Sequence, residues 1–539
     1  MSHKKRIGVV AFGCVLALFL LVVLGAVRRE ANKEEKENES GVYYELPADT
    51  GTEDALLHIA EDFSVDEGFT TNLPIVVLSV EGELAEYKDF SDGMEVVDTE
   101  VDPWSNGEIS VIDTGTEQNH LTDTPVFTSE LKIKKRGHTS FTFDKPQYLI
   151  KLTENGEERA VDVLGMGESD SWILNGSMAD KSMIRNYLSY RIASEIGGGA
   201  MAPDCRFCEV LLCDADGNYE YQGVYLFQET VSRGKSRVDI DEYKKKNTYT
   251  SYIVRRDRFT NFDVMLDTYG RLNGLSEQWI GLKYPSESKL TPETKAYIEA
   301  DFSRIEQVIY AEDEDTFAVY DKYIDMDSFV DYFLINEYFG NYDAGEHSTY
   351  MYKNSGEKLC IGPVWDFDQA MNNYFGDEMD PETLAFQTKP FYERLTKDER
   401  FITCLKERYA ELRKGSLSEE HVFAVMDEAV AYLNSARIRE WYRWKADYED
   451  DSFSNPHNYY LLDYEREGQV ISRFNDDYEQ ELYNIRVYLH KHGKAIQTEL
   501  TKLYDLAEYD TSMKNYNELF LLIVMLLFLT PSLLINRRG

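Results

Sequence analysis

Apolar positions along this chain follow three patterns, and the pattern changes with position. From Leu73 an unbroken run, LPIVVLSV, has the length and β-branched content of a buried strand. EISVID, from Glu108 to Asp113, predicts a second strand. SELKIKKRGHTS (Ser129 to Ser140) alternates at Leu131 and Ile133 until Gly137 interrupts it, and QYLIKL (Gln147 to Leu152) resumes the strand, so a hairpin-like unit is expected. The period then lengthens. DKSMIRNYLSYRIASEIGGG brings Met183, Leu188, Ile192 and Ile196 close to helical spacing, with Asp180 as the expected N-cap and Gly197 to Gly199 as the stop. Arg206 to Val231 reads as strand, turn at Asp216-Gly217-Asn218, and strand. MDSFVDYFLINEYF (Met326 to Phe339) predicts a helix ending at Gly340. STYMYK, a turn at Asn354-Ser355-Gly356 and KLCIGPVWDFD predict another hairpin. From about Phe401 onward, stretches such as CLKERYAELRK predict helices.

The third pattern is unbroken apolarity, and it lies at both ends. Gly8 to Val27 is twenty residues without a charge, preceded by Lys4, Lys5 and Arg6. That length suits a bilayer span, and the lack of a clear AxA-like site favours an anchor over a cleaved leader. Leu519 to Ile535 is seventeen apolar residues followed by Arg537 and Arg538, a second expected span, although a buried terminal helix fits the same pattern. The flanking bases place both termini in the cytoplasm and the middle of the chain outside it, with Arg28 and Arg29 pulling the other way. The expected organisation is an N-terminal anchor (1–36), a charged stalk (37–70), an α+β domain (71–400) with a helical C-terminal part (401–512), and a C-terminal span with a basic tail (513–539). The expected location is a two-pass cell-membrane protein in contact with the lipid bilayer.

Composition narrows the partners. The 539 residues carry a formal net charge of −41, which argues against nucleic acid, since phosphate backbones are neutralised by Lys and Arg. Aromatic content of 13% excludes a disordered chain. Of the six cysteines, Cys14 lies in the first apolar run. Cys205 and Cys208 form one CxxC, with neither a second pair nor close histidines to complete a zinc site, so Cys205, Cys208, Cys213, Cys360 and Cys404 read as strand residues.

Three patches can carry chemistry. In Arg136-Gly137-His138-Thr139-Ser140 a glycine turn with hydroxyls offers N–H groups to an anion, and Lys145 and Lys151 follow. Asn341-Tyr342-Asp343 comes just after a helix. In Gly362-Pro363-Val364-Trp365-Asp366-Phe367-Asp368 two carboxylates stand two residues apart, on one face if the segment is a strand. A shared face is costly unless a cation such as Mg²⁺ lies between them. Taken singly, each patch also fits an ordinary basic hairpin, an Asx turn or a solvated strand end.

Longer ordered blocks carry more. RGHTS with KPQYLIKL, WILNGSMADKSMIRNYLSYRIASEIG, GNYEYQGVYLFQE, and NEYFGNYDAGEHSTYMYKN with GPVWDFDQA resemble the CotH kinase family, the spore-coat-type atypical kinases. The resemblance runs from about Leu73 to about Phe375. It implies an α+β, atypical protein-kinase-like fold that binds ATP with Mg²⁺ and transfers its γ-phosphate to protein hydroxyls. On that resemblance Asp343 is the catalytic base, and Asp366 and Asp368 are the metal acids. Arg136 and Ser140 lie near phosphates, Lys151 contacts the α/β-phosphates in preference to Lys145, and Glu229 lies near the adenine. Asp180 and Arg185 are structural or brace the lysine. The chain departs from the kinase pattern downstream of Asp343, where Gly345-Glu346-His347-Ser348 stands in place of a second-metal Asn. Two other readings stay open: a non-catalytic, pseudokinase-like envelope protein that binds or builds, and a metal-dependent hydrolase that needs no nucleotide.

Overall fold

Short alternating runs in the first part of the chain find one another at long range. The computed structural model describes residues 63–512 apart from 90–95, 116–117, 199–200, 260–262, 276–278, 374–379, 450–463, 467–468 and 472–476. Seven strands form a closed ring: β1 (Ile75–Val80), β2 (Ser105–Ile112), β3 (Phe127–Arg136), β4 (Gln147–Glu154), β5 (Ser171–Asn175), β6 (Cys205–Cys213) and β7 (Tyr219–Glu229). Their order is β5-β7-β6-β1-β2-β3-β4, and β4 pairs again with β5 to close the circle. β1 and β6 run parallel, with Ile75 opposite Glu209, and every other pair in the ring is antiparallel. The period of two fills the ring. Val76 and Leu78, Ile109 and Val111, Leu131 and Ile133, and Ile150 and Leu152 all join Trp172 and Phe227 in one interior cluster.

A second sheet follows: β8 (Tyr252–Asp257), β9 (Val264–Met265), β10 (Trp279–Tyr284), β11 (Thr349–Lys353) and β12 (Leu359–Ile361). Its order is β9-β10-β8-β11-β12, antiparallel throughout. The larger helices are α1 (Arg185–Gly197), α2 (Pro292–Ile309), α3 (Met326–Phe339), α4 (Glu399–Leu412), α5 (Glu419–Arg443) and α6 (Tyr478–Lys502). α3 is the hub, with every residue from Phe329 to Phe339 buried. Its C-terminal end is where the sequence predicts, and its N-cap is a residue the sequence reading did not name. The Asp325 carboxylate accepts from the Ser328 N–H at 2.9 Å, and Gly340 closes the helix in the left-handed region at φ 62°.

The expected fold is corrected. The chain forms a mixed α+β architecture built on a closed seven-stranded, barrel-like sheet, and the membrane helices expected to flank it are not found among the described residues. The hairpins were legible, but ring closure depends on β5 pairing with both β4 and β7, and local periodicity carries no record of such long-range register. Among the described residues no helix is long and apolar enough to cross a membrane. The most apolar of the central helices, α3, has fourteen residues and includes acids, against about 20 residues for a span. The two apolar stretches, 8–27 and 519–535, lie outside the described residues. The expected two-pass location and bilayer contact rest on these stretches alone, and no helix among the described residues supports them.

Two smaller readings also change. The helix after the DKS turn starts at Arg185 and not at Asp180, whose carboxylate instead accepts from the N–H groups of Ser182 at 3.0 Å and Arg185 at 2.9 Å. The described cysteines are free. Cys205, Cys208 and Cys213 lie on β6 and Cys360 on β12, but Cys404 lies on α4.

The C-terminal helix is clamped to α3 by one imidazole. Nδ1 of His492 lies 3.0 Å from the Pro381 carbonyl, and Nε2 lies 2.7 Å from the Glu337 carbonyl and 3.1 Å from its carboxylate. Two carbonyl partners require both nitrogens to carry protons. Burial opposes that charge, but hydrogen bonding and attraction from Glu337 outweigh it and raise the pKa above the ordinary 6.5. The folded state thus holds the proton longer than the unfolded chain. This contribution is complete below the ordinary value and is lost as pH rises through the raised one. Thermal melts between about pH 6 and about pH 9 are expected to show falling stability. His492→Gln should be less stable than the parent at the acid end, by roughly 1–3 kcal/mol, with the difference shrinking as pH rises. A constant difference across the range would contradict a charged clamp.

Candidate functional site

The site begins with a glycine. β3 ends at Arg136, and Gly137 turns the chain at φ 107°. A Cβ there would come within 1.9 Å of Ser140 Oγ, so no other residue fits without the turn shifting. A short 3₁₀ turn, Thr139–Thr142, follows. The turn delivers Arg136, Gly137, His138 and Ser140 to the wall of a cleft of about 830 Å³. Arg136 is steadied by donating to the Gln147 side chain at the start of β4.

The opposite wall carries the acids. Asp343 follows the α3 cap, and Asp366 and Asp368 follow β12. All three line the same cleft. Asp366 and Asp368 do not share a strand face, because β12 stops at Ile361 and the segment beyond it is a loop. Asp366 adopts φ 65°, a conformation disfavoured for any residue with a Cβ, and Ser348 beside it adopts φ 50°. Surrounding contacts hold these backbones in place. The Phe367 N–H donates to Asn186 Oδ1 at 2.7 Å, and the Asp366 N–H to the Tyr190 hydroxyl at 3.2 Å. Asn341 Nδ2 donates to the Trp365 carbonyl at 3.1 Å. Arg185 Nε donates to the Ala370 carbonyl at 2.9 Å, and Asn186 Nδ2 donates to the Asp368 carboxylate. Asp180 and Arg185 thus brace the acid loop, and no lysine is among their contacts: Arg185 Nη1 lies 2.6 Å from both Asp180 Oδ1 and Glu481 Oε1.

Proximity sets the electrostatics. Burial, then repulsion from Asp366, pushes Asp368 well above the ordinary carboxylate range. Burial, followed by Asp343 and Asp257, raises Asp366 against the opposing pull of Arg136. The two carboxyls also hydrogen-bond each other, with Asp368 as the natural proton holder. Asp343 is raised by burial, with Asp257 and Glu346 adding and Arg258 and Lys389 opposing. The Ser348 hydroxyl donates to Asp366 Oδ2 at 3.2 Å. Among the described residues no group of three or more His, Cys, Asp or Glu side chains is arranged to hold a metal. The donor set of two hard carboxylates sharing a proton still fits Mg²⁺, which commonly takes one or two carboxylates and completes its shell with water and phosphate oxygens.

The other expected site residues stand elsewhere. Lys151 is half-exposed on β4, 3.4 Å from Glu158, and does not line the cleft. Lys145 is fully buried, paired with Glu440 of α5 at 2.6 Å and donating to the Val224 carbonyl at 2.7 Å. Glu229 ends β7 in a buried pair with Arg237 at 3.3 Å, also away from the cleft lining. The structure adds residues that the sequence did not single out. Arg255, Asp257 and Arg258, from the end of β8, and Asp263 line the cleft, as do Lys88, Lys134 and Trp104. The run Arg255-Arg256-Asp257-Arg258 was a visible signal, a charge cluster ending an apolar strand.

A family model described as CotH kinase protein matches residues 133–496, about two thirds of the chain. No curated protein matches it.

Gly137→Ala tests the turn. It is expected to cost roughly 1–3 kcal/mol, from positive φ and the clash with Ser140, and to be partly rescued by Ser140→Gly in the same chain. Chemical denaturation of the single and double variants reads both values. Equal destabilisation in the two would remove the Ser140 contact as the reason for glycine.

Proposed function

Because the chain belongs to the CotH kinase family, we propose that it is a phosphotransferase that binds ATP with Mg²⁺ and passes the γ-phosphoryl group to protein hydroxyls. The observation that carries this reading is the convergence of Asp343, Asp366 and Asp368 with Arg136 and the Gly137 turn on one cleft. Phosphoryl transfer depends on positioning and charge neutralisation more than on covalent chemistry from the protein, and a cleft lined by both acids and cations supplies both. Asp366 and Asp368 would hold the Mg²⁺, which neutralises phosphate charge. Arg136 and Ser140 face the phosphates, and the N–H groups of the turn add further donors. Asp343 Oδ accepts the proton of the acceptor hydroxyl as its oxygen bonds to the γ-phosphorus and the bond to the departing diphosphate breaks. Burial keeps Asp343 a better base than a solvated aspartate.

Binding without transfer is the second reading. One observation favours it: Ser348, not an asparagine, occupies the position beside Asp366.

Calorimetric titration of ATP into the purified chain, with and without Mg²⁺, separates these readings. Mg²⁺-dependent binding is expected, and Asp366→Asn should abolish the dependence. Asp343→Asn should bind ATP like the parent yet transfer phosphate to a hydroxyl acceptor about 10²–10⁴-fold more slowly. A folded parent that binds no ATP would sink the proposal. ATP binding with no acceptor or water turnover in the parent would favour the non-catalytic reading.

A further inference from the structure

The barrel wall of the cleft is unusually rich in cations for a chain of net charge −41. Lys88, Lys134 and Arg136 line it, and Lys135 and Lys151 stand close by on β3 and β4. Most of these groups are already engaged. Lys88 Nζ donates to the Gly137 carbonyl at 2.7 Å. Lys135 pairs with Glu86, Arg136 donates to Gln147, and Lys151 lies 3.4 Å from Glu158. Lys134 differs. Among the described residues it has neither an ion pair nor a hydrogen bond, and its ammonium rests against two aromatic rings, 5.0 Å from the Trp104 centroid and 5.6 Å from that of Tyr87. Both rings line the cleft.

We propose that Lys134 is the cation that contacts the phosphate chain of the nucleotide in this cleft, the part assigned to Lys151 on sequence grounds. The inference rests on the nucleotide reading above and adds the residue that recognises the polyphosphate. A part-buried ammonium without an anionic partner lacks the charge compensation that an entering polyphosphate supplies. The aromatic contacts hold the ammonium in place and leave the anion as the missing partner. The neighbouring charges agree. Burial, then repulsion from Lys88, Lys151 and Arg136, lowers the Lys134 pKa, and Asp102 alone opposes them. An anion entering here relieves that repulsion. Lys134 is therefore an amine open to acylating reagents when the cleft is empty and shielded when it is filled.

The test uses the full chain and two probes, MgATP and inorganic tripolyphosphate, titrated calorimetrically into the parent, Lys134→Met, Lys134→Arg and Lys151→Met. Lysine acylation is mapped by mass spectrometry with and without each probe. Lys134→Met is expected to weaken both probes about tenfold, the loss of one charge-assisted contact. Lys134→Arg should retain most of the affinity, and Lys151→Met should match the parent. Lys134 should be the amine most protected by either probe. MgATP bound equally by parent and Lys134→Met, or acylation of Lys134 unchanged by the probes, overturns the inference while the nucleotide reading stands. Lys134-dependent binding of tripolyphosphate without binding of MgATP supports the cation site and overturns the nucleotide reading. Binding of neither probe by the folded parent overturns both. If Lys134→Met fails to fold, Lys134→Arg and the protection map on the parent decide.

Discussion

One guanidinium holds the site together. Arg185 is buried at the start of α1, where it meets the Asp180 and Glu481 carboxylates and the Ala370 carbonyl. These groups come from a turn before α1, from the C-terminal helix α6 and from the loop that carries Asp366 and Asp368. A charge buried this deeply is stable only when paired and fully hydrogen-bonded, and removing one partner of such a group typically costs about 3–5 kcal/mol. The arrangement therefore fixes position more than it adds net stability. The next residue extends the brace, since Asn186 binds both the Phe367 N–H and the Asp368 carboxylate.

That brace lets the acid loop carry strain. Asp366 and Ser348 are held at positive φ, and two carboxyls are packed closely enough to share a proton. A free loop would relax both features by rotating the chain and separating the charges. Here Asn186, Tyr190, Arg185 and Asn341 grip the loop from α1 and from the end of α3. The like-charge repulsion is thereby preserved as a standing affinity for a cation, the logic by which carboxylate clusters select hard divalent ions.

The barrel plays the complementary part. Its closed ring leaves β3 and β4 little freedom, so the turn at Gly137 and the cations around it hold a fixed position on the cleft that the acids also line. Fixed charges of both signs around one cleft are the conditions under which an anionic substrate and a cation enter together. The CotH kinase family assignment and this geometry are compatible with the proposed phosphoryl transfer, and the residues proposed for it on the barrel side follow from the ring and not from the motif order.

Local chemistry was legible in the sequence. The α3 helix with its Gly340 stop, the hairpins of the second sheet and barrel, the glycine turn and the three acids all rest on patterns a few residues long. Such patterns act through φ/ψ preference and nearest-neighbour hydrogen bonds. Three things were not legible. The closing of the ring depends on β5 pairing with both neighbours. The partners of Lys145, Lys151 and Glu229 are set by residues as distant as Glu440. The gathering of Asp366 and Asp368 depends on a loop conformation imposed by α1, not on strand alternation. The sequence by itself determined which residues have the chemistry to bind phosphate and metal. The tertiary structure decided which of them line one cleft, because pairing and burial are set by contacts hundreds of residues apart, and a periodicity of two or 3.6 residues does not reach that far.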